Sequence, residues 1–427
     1  MANEKEIFGL PKVDINFKTQ ATTAIARSSR GIGVLILNDE NAFDDNGNEE
    51  IKYFKIESTT DIPDSGINEK NIDLIKKALL GTPLRLHVYL IPPETYNVTS
   101  SGTTVTSSTT VSSSTAVTTS TTVTVSATTT QADVLKKIAD VKFNYIAHST
   151  GKSQDQQDLA SWVKSQRQNK KKTFKAVVAN YDADSYSVIN FTTEKIRVEN
   201  PAYVDALKEV DGDAALVPST IPQYLTYSAT EYTARILGIL AGLPLDRSAT
   251  FFILSEVVDV EEYEDIDAHI SNGELCLFDA KDDNGVKIAR ACNSLHTFTT
   301  DVGEDFRFIK IIEAIDLITD DIRDTFNDSY VGKMINDFEH KMLFIAAINI
   351  YLKNLRGNVL DSSPTVRQEV EIDSEKNKDY AQLHGRDVKN MTPQEILETN
   401  TGTHVFLAGN IRPVNAMEDL KIDFILN

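Results

Sequence analysis

The sequence predicts a mixed, multidomain α+β fold with a central α/β domain, and three observations lead there. The chain has 427 residues, room for about three domains. Strand-period and helix-period segments alternate from about residue 132 to about 300, after which the pattern turns mainly helical. One interval, between Glu94 and Asp133, carries no charge at all.

Leu10 to Lys18 alternates, with Val13, Ile15 and Phe17 on one face, as a half-buried strand does. Small and polar residues separate it from the next core run, so residues 1–30 read as an arm. Residues 31–95 give strands over Ile32 to Leu37, Tyr53 to Ile56 and Leu84 to Ile91, and a helix over Ile72 to Leu80 closed by Gly81: a small α+β domain. Residues 96–131 form an insertion. From Thr99 to Thr130, 24 of 32 residues are Ser or Thr, and a six-residue repeat places Val105, Val111, Val117 and Val123 at equivalent positions. The composition suits a flexible linker. Thr and Val also favour strands, and a spacing of six would keep all four valines on one strand face, so the insertion is either β-rich or flexible.

Residues 132–300 form the central α/β domain, with helices over Ala132 to Ala139 and Asp155 to Arg167 and strands over Phe143 to His148, Phe174 to Asn180 and Tyr186 to Phe191. Ser228-Ala229-Thr230-Glu231 is a capping box before a helix with Tyr232, Ile236, Leu240 and Leu243 in one stripe, ended by Gly242 and Pro244. A strand over Phe251 to Leu254 follows, then a hairpin of Glu274 to Phe278 and Val286 to Ala291 turning at Asp282-Asp283-Asn284-Gly285. Residues 301–409 make a C-terminal domain. Its first helix carries Phe308, Ile311, Ile315, Ile318 and Ile322 on one side, with Asp316, Asp320 and Asp324 opposite. Leu343 to Leu352, apolar nearly all round, predicts a buried helix; Thr392-Pro393-Gln394-Glu395 starts another. A strand over His404 to Leu407 precedes residues 410–427, a second arm in which Leu420, Ile422, Phe424 and Leu426 alternate with mostly polar residues.

Composition narrows the chemistry. With 43 basic and 63 acidic residues the net charge is −20, which disfavours DNA, RNA and anionic lipid as partners. No apolar run reaches the roughly 18 residues of a membrane span, and Met1 to Glu6 lacks the order of a secretion signal, so a cytoplasmic product without membrane insertion is expected. Cys276 and Cys292 are too few for a disulfide scaffold and read as packed, reduced thiols. Ala147-His148-Ser149-Thr150-Gly151-Lys152-Ser153 imitates a phosphate loop, but Ile146 stands where the first glycine is needed. The acidic run from Glu256 to Asp267 lacks calcium-loop spacing and reads as solvated or partner-facing, and the seven histidines include no zinc pair. Lys164, Arg167, Lys170, Lys171 and Lys172, near Trp162, form the one basic cluster, suited to an acidic protein surface. No Gly-x-Ser-x-Gly elbow is present. No catalytic, cofactor-binding or metal-binding residue is assigned.

Several segments together resemble contractile tail sheath proteins of the phage type: Gly9-Leu10-Pro11 with Ile15-Asn16-Phe17-Lys18 and Ala26 to Gly31; Tyr232-Thr233-Ala234-Arg235 through Leu240 to Leu245; Asp321 to Phe326 with Tyr330-Val331-Gly332-Lys333; and Pro413 to Asp419. The resemblance covers nearly the whole chain apart from the Ser/Thr insertion. It implies a subtilisin-like central domain, although the Gly-Thr-Ser-x-Ala nucleophile segment is missing here, and no enzyme activity. It further implies a homo-oligomer of stacked six-membered rings around an inner tail tube, with baseplate and tail terminator proteins as further partners, located in the virion and in the host cytoplasm during assembly. Strand exchange between subunits would use Val13, Ile15 and Phe17 at one end and Leu420, Ile422, Phe424 and Leu426 at the other. The insertion, lacking large apolar anchors and all charge, is expected to decorate the outer surface without taking part in the lattice. A phage-tail-like bacteriocin or another injection system is the alternative setting, and an α/β hydrolase-like enzyme the remote one.

Overall fold

The computed structural model describes residues 24–27, 30–105, 116–210, 212, 214–281 and 285–425. The N-terminal strand with Val13, Ile15 and Phe17, the Asp282 to Asn284 part of the hairpin turn, and Leu426 lie outside these residues. The described chain divides into two compact units. The larger holds Arg27–Asp321, Gly357–Ser362 and the chain from Arg412 onward; the smaller holds residues 24–26, Ile322–Arg356 and Ser363–Ile411.

In the larger unit β1 (Ile32–Asn38) is apolar at nearly every position and buried along its length, the pattern of a strand covered on both faces. β2 (Lys52–Ile56) and α1 (Glu69–Leu79) follow, α1 capped by Asn68, whose side chain accepts the Asn71 N–H. Then come β3 (Arg85–Ile91) and a hairpin of β4 (Thr95–Val105) and β5 (Ala116–Ser126). α2 (Gln131–Ile138), β6 (Tyr145–His148), α3 (Ser153–Lys170), β7 (Lys175–Ala179) and β8 (Val188–Phe191) alternate as the sequence predicts. β9 (Ile196–Glu199), α4 (Pro201–Glu209) and β10 (Tyr224–Tyr227) lead to α5 (Ala229–Gly242), which starts at the Ser228–Glu231 capping box. β11 (Val257–Asp259), α6 (Ile266–Ser271), β12 (Glu274–Leu275), and the paired β13 (Leu277–Asp279) and β14 (Val286–Ile288) precede the long α7 (Ile309–Ser329).

One seven-stranded sheet, ordered β12-β8-β7-β6-β1-β3-β2, organises this unit; only β2 is antiparallel to its neighbour. Period-two alternation sends Leu35 and Leu37 into a core with residues of α1 and α5, and Val34 and Ile36 into a second core with residues of α2 and α3. The sequence-based division between 31–95 and 132–300 therefore does not hold within the sheet: β1 pairs on one edge with β3 and on the other with β6.

The insertion is β-rich among its described residues. β4 and β5 pair antiparallel from Thr95↔Ser126 to Val105↔Ala116. Val117 stands opposite Thr104 and Val123 opposite Val98, so the valine repeat does not continue in step through the turn.

Phe251 to Leu254 is not a strand. Phe251 has φ 56°, a left-handed value that a bulky residue rarely adopts, and the segment makes a single bridge, Ile253↔Lys287. In the smaller unit, α8 (Phe338–Leu355) buries Phe344, Ile348 and Leu352 but leaves Met342 and Ile350 exposed, so it is amphipathic and not buried all round. β15 (Val370–Ile372), α9 (Ser374–Leu383) and α10 (Pro393–Leu397) follow. The strand expected at His404 to Leu407 begins later, as β16 (Leu407–Gly409), where it pairs antiparallel with β15.

α1 and α5 approach so closely that glycines are required at the crossing. A Cβ on Gly238 would meet the Ala78 carbonyl oxygen at 1.9 Å, and one on Gly242 the Gly81 oxygen at 1.7 Å. Gly238→Ala is therefore expected to destabilise the larger unit by about 3 kcal/mol or more, because rigid backbone, not a side chain, must move. Gly303, with nothing within 4 Å of its would-be Cβ, is the control. Urea unfolding should show Gly303→Ala near wild type, and equal midpoints for the two variants would contradict the tight crossing.

Candidate functional site

The candidate site is the C-terminal segment and the groups that hold its root. In the larger unit Asp361 N–H donates to Arg412 O at 2.9 Å, Val414 N–H to Val359 O at 3.0 Å, and the Lys310 ammonium on α7 to Val414 O at 3.1 Å. The Glu418 carboxylate accepts from Ser248 Oγ at 3.0 Å and Thr250 Oγ1 at 2.8 Å, and Arg290 pairs with Asp419 at 2.6 Å. Pro413 to Asp419 thus fastens the segment; beyond it the chain is free of the unit's core. Leu420 is 85% exposed, Ile422 56% and Phe424 84%, against the burial such side chains normally seek. No strand is assigned over 420–425, so the alternating strand expected there has no partner within the described chain. Leu420, Ile422 and Phe424 are brought together only as neighbours along this exposed segment.

At the opposite end of the described chain, Arg30 enters a buried ionic cluster that sequence reasoning missed. The N-terminal half of α7 presents Glu313, Asp316 and Asp320 to the start of the sheet. Arg30 pairs with Glu313 and, at 3.4 Å, with Asp320. The Lys175 ammonium, 1% exposed at the start of β7, lies 2.7 Å from both Glu313 and Asp316, and the Arg167 guanidinium holds Asp316 through two bonds of 3.0 and 2.7 Å. Tyr145 OH donates to Glu313 at 2.5 Å and Thr173 Oγ1 to Asp320 at 2.7 Å. Burial alone would raise the Glu313 pKa, but Arg30 and Lys175 hold it far below the usual carboxylate range. Burial and then the Glu313 charge push the Tyr145 phenol well up. The three carboxylates sit at i, i+3 and i+7, one face of a helix, and that spacing opposite a lone lysine in the apolar run Phe174 to Val178 was the available signal.

Some members of the other polar motifs are likewise satisfied within the chain, while Lys170, Lys171, Glu261, Glu262 and Glu264 are exposed. Arg167, grouped from sequence with partner-facing lysines, is committed to Asp316; Lys164 donates to Ala183 O at 2.7 Å. Glu256, the first residue of the acidic run, accepts from Arg235 at 2.5 Å and Tyr232 OH at 3.0 Å, so it belongs to the core and not to solvent. In the imitation phosphate loop the buried His148 ring contacts Gln131 Oε1 at 2.7 Å and Asn38 Oδ1 at 3.0 Å, and closes against Gly151. Burial raises the Cys276 thiol to about 11 and the Cys292 thiol to about 12, which keeps both unreactive near neutral pH. A cleft of about 460 Å³ is lined by Phe251, Ile270, Phe278, Arg290, Arg307 and Phe308, but Arg290 is paired with Asp419 and Arg307 donates to Ile270 O at 2.8 Å. Among the described residues no group of three His, Cys, Asp or Glu could hold a metal ion. No helix there is long and apolar enough to cross a membrane.

The buried charges of the larger unit are thus paired with one another, and the run Leu420, Ile422 and Phe424 lies exposed beyond its bonded root. Residues 301–427 match the family model for the phage tail sheath C-terminal domain. The chain is 30% identical over 419 residues to the tail sheath protein of Clostridium phage phiCD119, covering 97% of this chain and 98% of that one. Its fold is similar to the crystal structure of a sheath tail protein from Desulfitobacterium hafniense, with a TM-score of 0.57, 18% identity, and coverage of 85% and 94%. It is also similar to the cryo-EM structure of the anti-feeding prophage helical sheath in its contracted state, at a TM-score of 0.60 and 12% identity over 99% of this chain and 100% of that one. The chain belongs to the phage tail sheath protein family.

Lys175→Met should cost about 3–5 kcal/mol in urea unfolding, since it leaves buried carboxylates short of a cation. For Glu313 the folded pKa lies below the ordinary 4.5, so its stabilisation is present above that value and is lost as the pH falls beneath it. Melting temperatures measured from about pH 6 to pH 3 should decline on the acid side, and less steeply in Glu313→Gln; an unchanged acid slope would show that Glu313 is not charged in the folded chain.

Proposed function

We propose that this chain is the subunit of a contractile tail sheath, stacking as six-membered rings around an inner tail tube and contracting to drive that tube through a target cell envelope. The observation that carries the reading is the exposed run Leu420, Ile422 and Phe424 leaving a firmly bonded root at Glu418 and Asp419. An extended apolar segment of this kind is completed by adding as a strand to another copy, with backbone hydrogen bonds for strength and alternate side chains for register. Leu426 continues the same alternation. Val13, Ile15 and Phe17 would serve as the corresponding set at the other end. The tube, baseplate and tail terminator are the remaining partners, and the virion tail is the location.

Arms that link copies would let the subunits slide and rotate between an extended and a contracted lattice without separating. The work would be stored at assembly in a metastable lattice, so no nucleotide, metal or other cofactor is assigned and no catalysis. A subtilisin-like description of the central layer is supported by the parallel sheet with helices on both faces. The likeness to the anti-feeding prophage sheath supports, as a second reading, the same role in a bacteriocin or other injection particle.

Removing residues 1–20 should leave a folded, soluble protein that forms no tubes in electron micrographs; normal tubes would refute a linking role for that end. Phe424→Ala should weaken polymerisation more than a hundredfold, given about 3–5 kcal/mol for truncating a buried Phe and 1.4 kcal/mol per decade. Lys421→Ala should change it little. Sedimentation scores polymer and a thermal melt scores the monomer. Should Phe424→Ala lower the monomer melting point while polymerising like Lys421→Ala, Phe424 belongs to the subunit's own core.

A further inference from the structure

The uncharged hairpin has no role in the reading above, yet its construction is specific. β4 and β5 are eleven residues each, about 37 Å at strand rise, and form a two-stranded sheet of their own among the described residues. Its root is held rigidly. The Glu49 carboxylate accepts the Thr128 and Thr129 N–H groups at 2.9 and 2.6 Å and the Tyr96 hydroxyl at 3.0 Å. Phe43 packs edge-on against Tyr96 at 4.7 Å, and Ala127 N–H donates to Glu94 O at 2.7 Å. Although burial opposes it, those hydrogen bonds lower the Glu49 pKa to about 2, so the clamp stays charged at any physiological pH. A hairpin held this way projects from the larger unit in a set direction.

Two-stranded hairpins are marginal in water alone, and among the described residues no third strand lies beside β4 or β5. Natural edges are protected by Lys, Pro, bulges or brevity. From Thr95 to Thr130 the chain has neither a charged residue nor a proline, and its strands are long. Charge selects the occupant. Copies of a chain of net charge −20 repel one another, and this is the longest stretch over which two of them can meet without like charges facing. Apart from Tyr96 and Asn97, both strands consist of Ser, Thr, Val, Ala and Gly, so their sequences hold none of the charged or proline residues that keep a second copy off an edge.

We propose that hairpins β4–β5 of neighbouring copies pair edge to edge, adding an outer, strand-mediated contact to the lattice formed by the arms; this rests on the sheath reading.

The test uses the full-length chain carrying Ser101→Cys, the native thiols being buried, and a short bifunctional maleimide. Assembled sheaths should yield cross-linked dimers, and dilute monomers should not. Adding Thr99→Lys, Thr103→Lys and Thr119→Lys should reduce the dimer yield at least tenfold, and salt should partly restore it. A Gly-Ser replacement of residues 97–124 should still assemble through the arms but dissociate at lower urea than wild type. Sheaths that form normally yet give no Ser101→Cys dimer, or equal dimer with and without the lysines, overturn hairpin pairing alone. Failure of the unmodified chain to form any sheath overturns the functional reading instead.

Discussion

Glu313, Asp316 and Asp320 of α7, held by Arg30, Lys175 and Arg167, are the constraint on which the larger unit depends. Replacing such a cluster with well-packed apolar residues often costs nothing, whereas removing one member leaves a stranded charge. Its contribution is therefore better described as placement than as net stability. The basic groups come from separate stretches, the approach to β1, α3 and the start of β7, and a helix matching all three charges at once has one acceptable position. α7 is thereby located by chemistry against a sheet whose own order is set by hydrophobic burial.

That sheet explains the distribution of polarity along the chain. Parallel strands buried on both faces leave little room for polar side chains, so charged and hydroxyl groups collect at strand starts, helix caps and loops. Arg235 with Glu256, and His148 with Gln131 and Asn38, show the result: polar side chains inside the unit meet one another. Exposed apolar side chains cluster in the terminal segment, at Leu420, Ile422, Phe424 and Ile425, with others scattered at Leu216, Ile335 and Leu383.

Local signals were legible and non-local ones were not. The capping box at Ser228–Glu231, the proline-started helix at Thr392 and the β13–β14 hairpin are written in adjacent residues, and the structure has them there. The pairing of β1 with β6 joins Gly33 to Tyr145, and nothing near either residue announces the other; hence two domains were expected where one sheet exists. Phe251 to Leu254 has strand composition, but its path is fixed by hydrogen bonds to Ile288 and Val286 that force a left-handed residue. The aspartates on α7 stand opposite its apolar stripe in the sequence, and period alone cannot tell whether water or a buried lysine meets them. The terminal segment keeps its alternation of Leu420, Ile422 and Phe424, but among the described residues it has no sheet to join.

The two fastened roots share one support. Lys310 holds the carbonyl of Val414, and Glu313, three residues along the same helix, holds Arg30. A load on the Val414 carbonyl and a load on the Arg30 guanidinium would therefore meet within one turn of α7, about 4.5 Å of helix rise. Force meeting in that one turn would bypass the ladder hydrogen bonds of the parallel sheet.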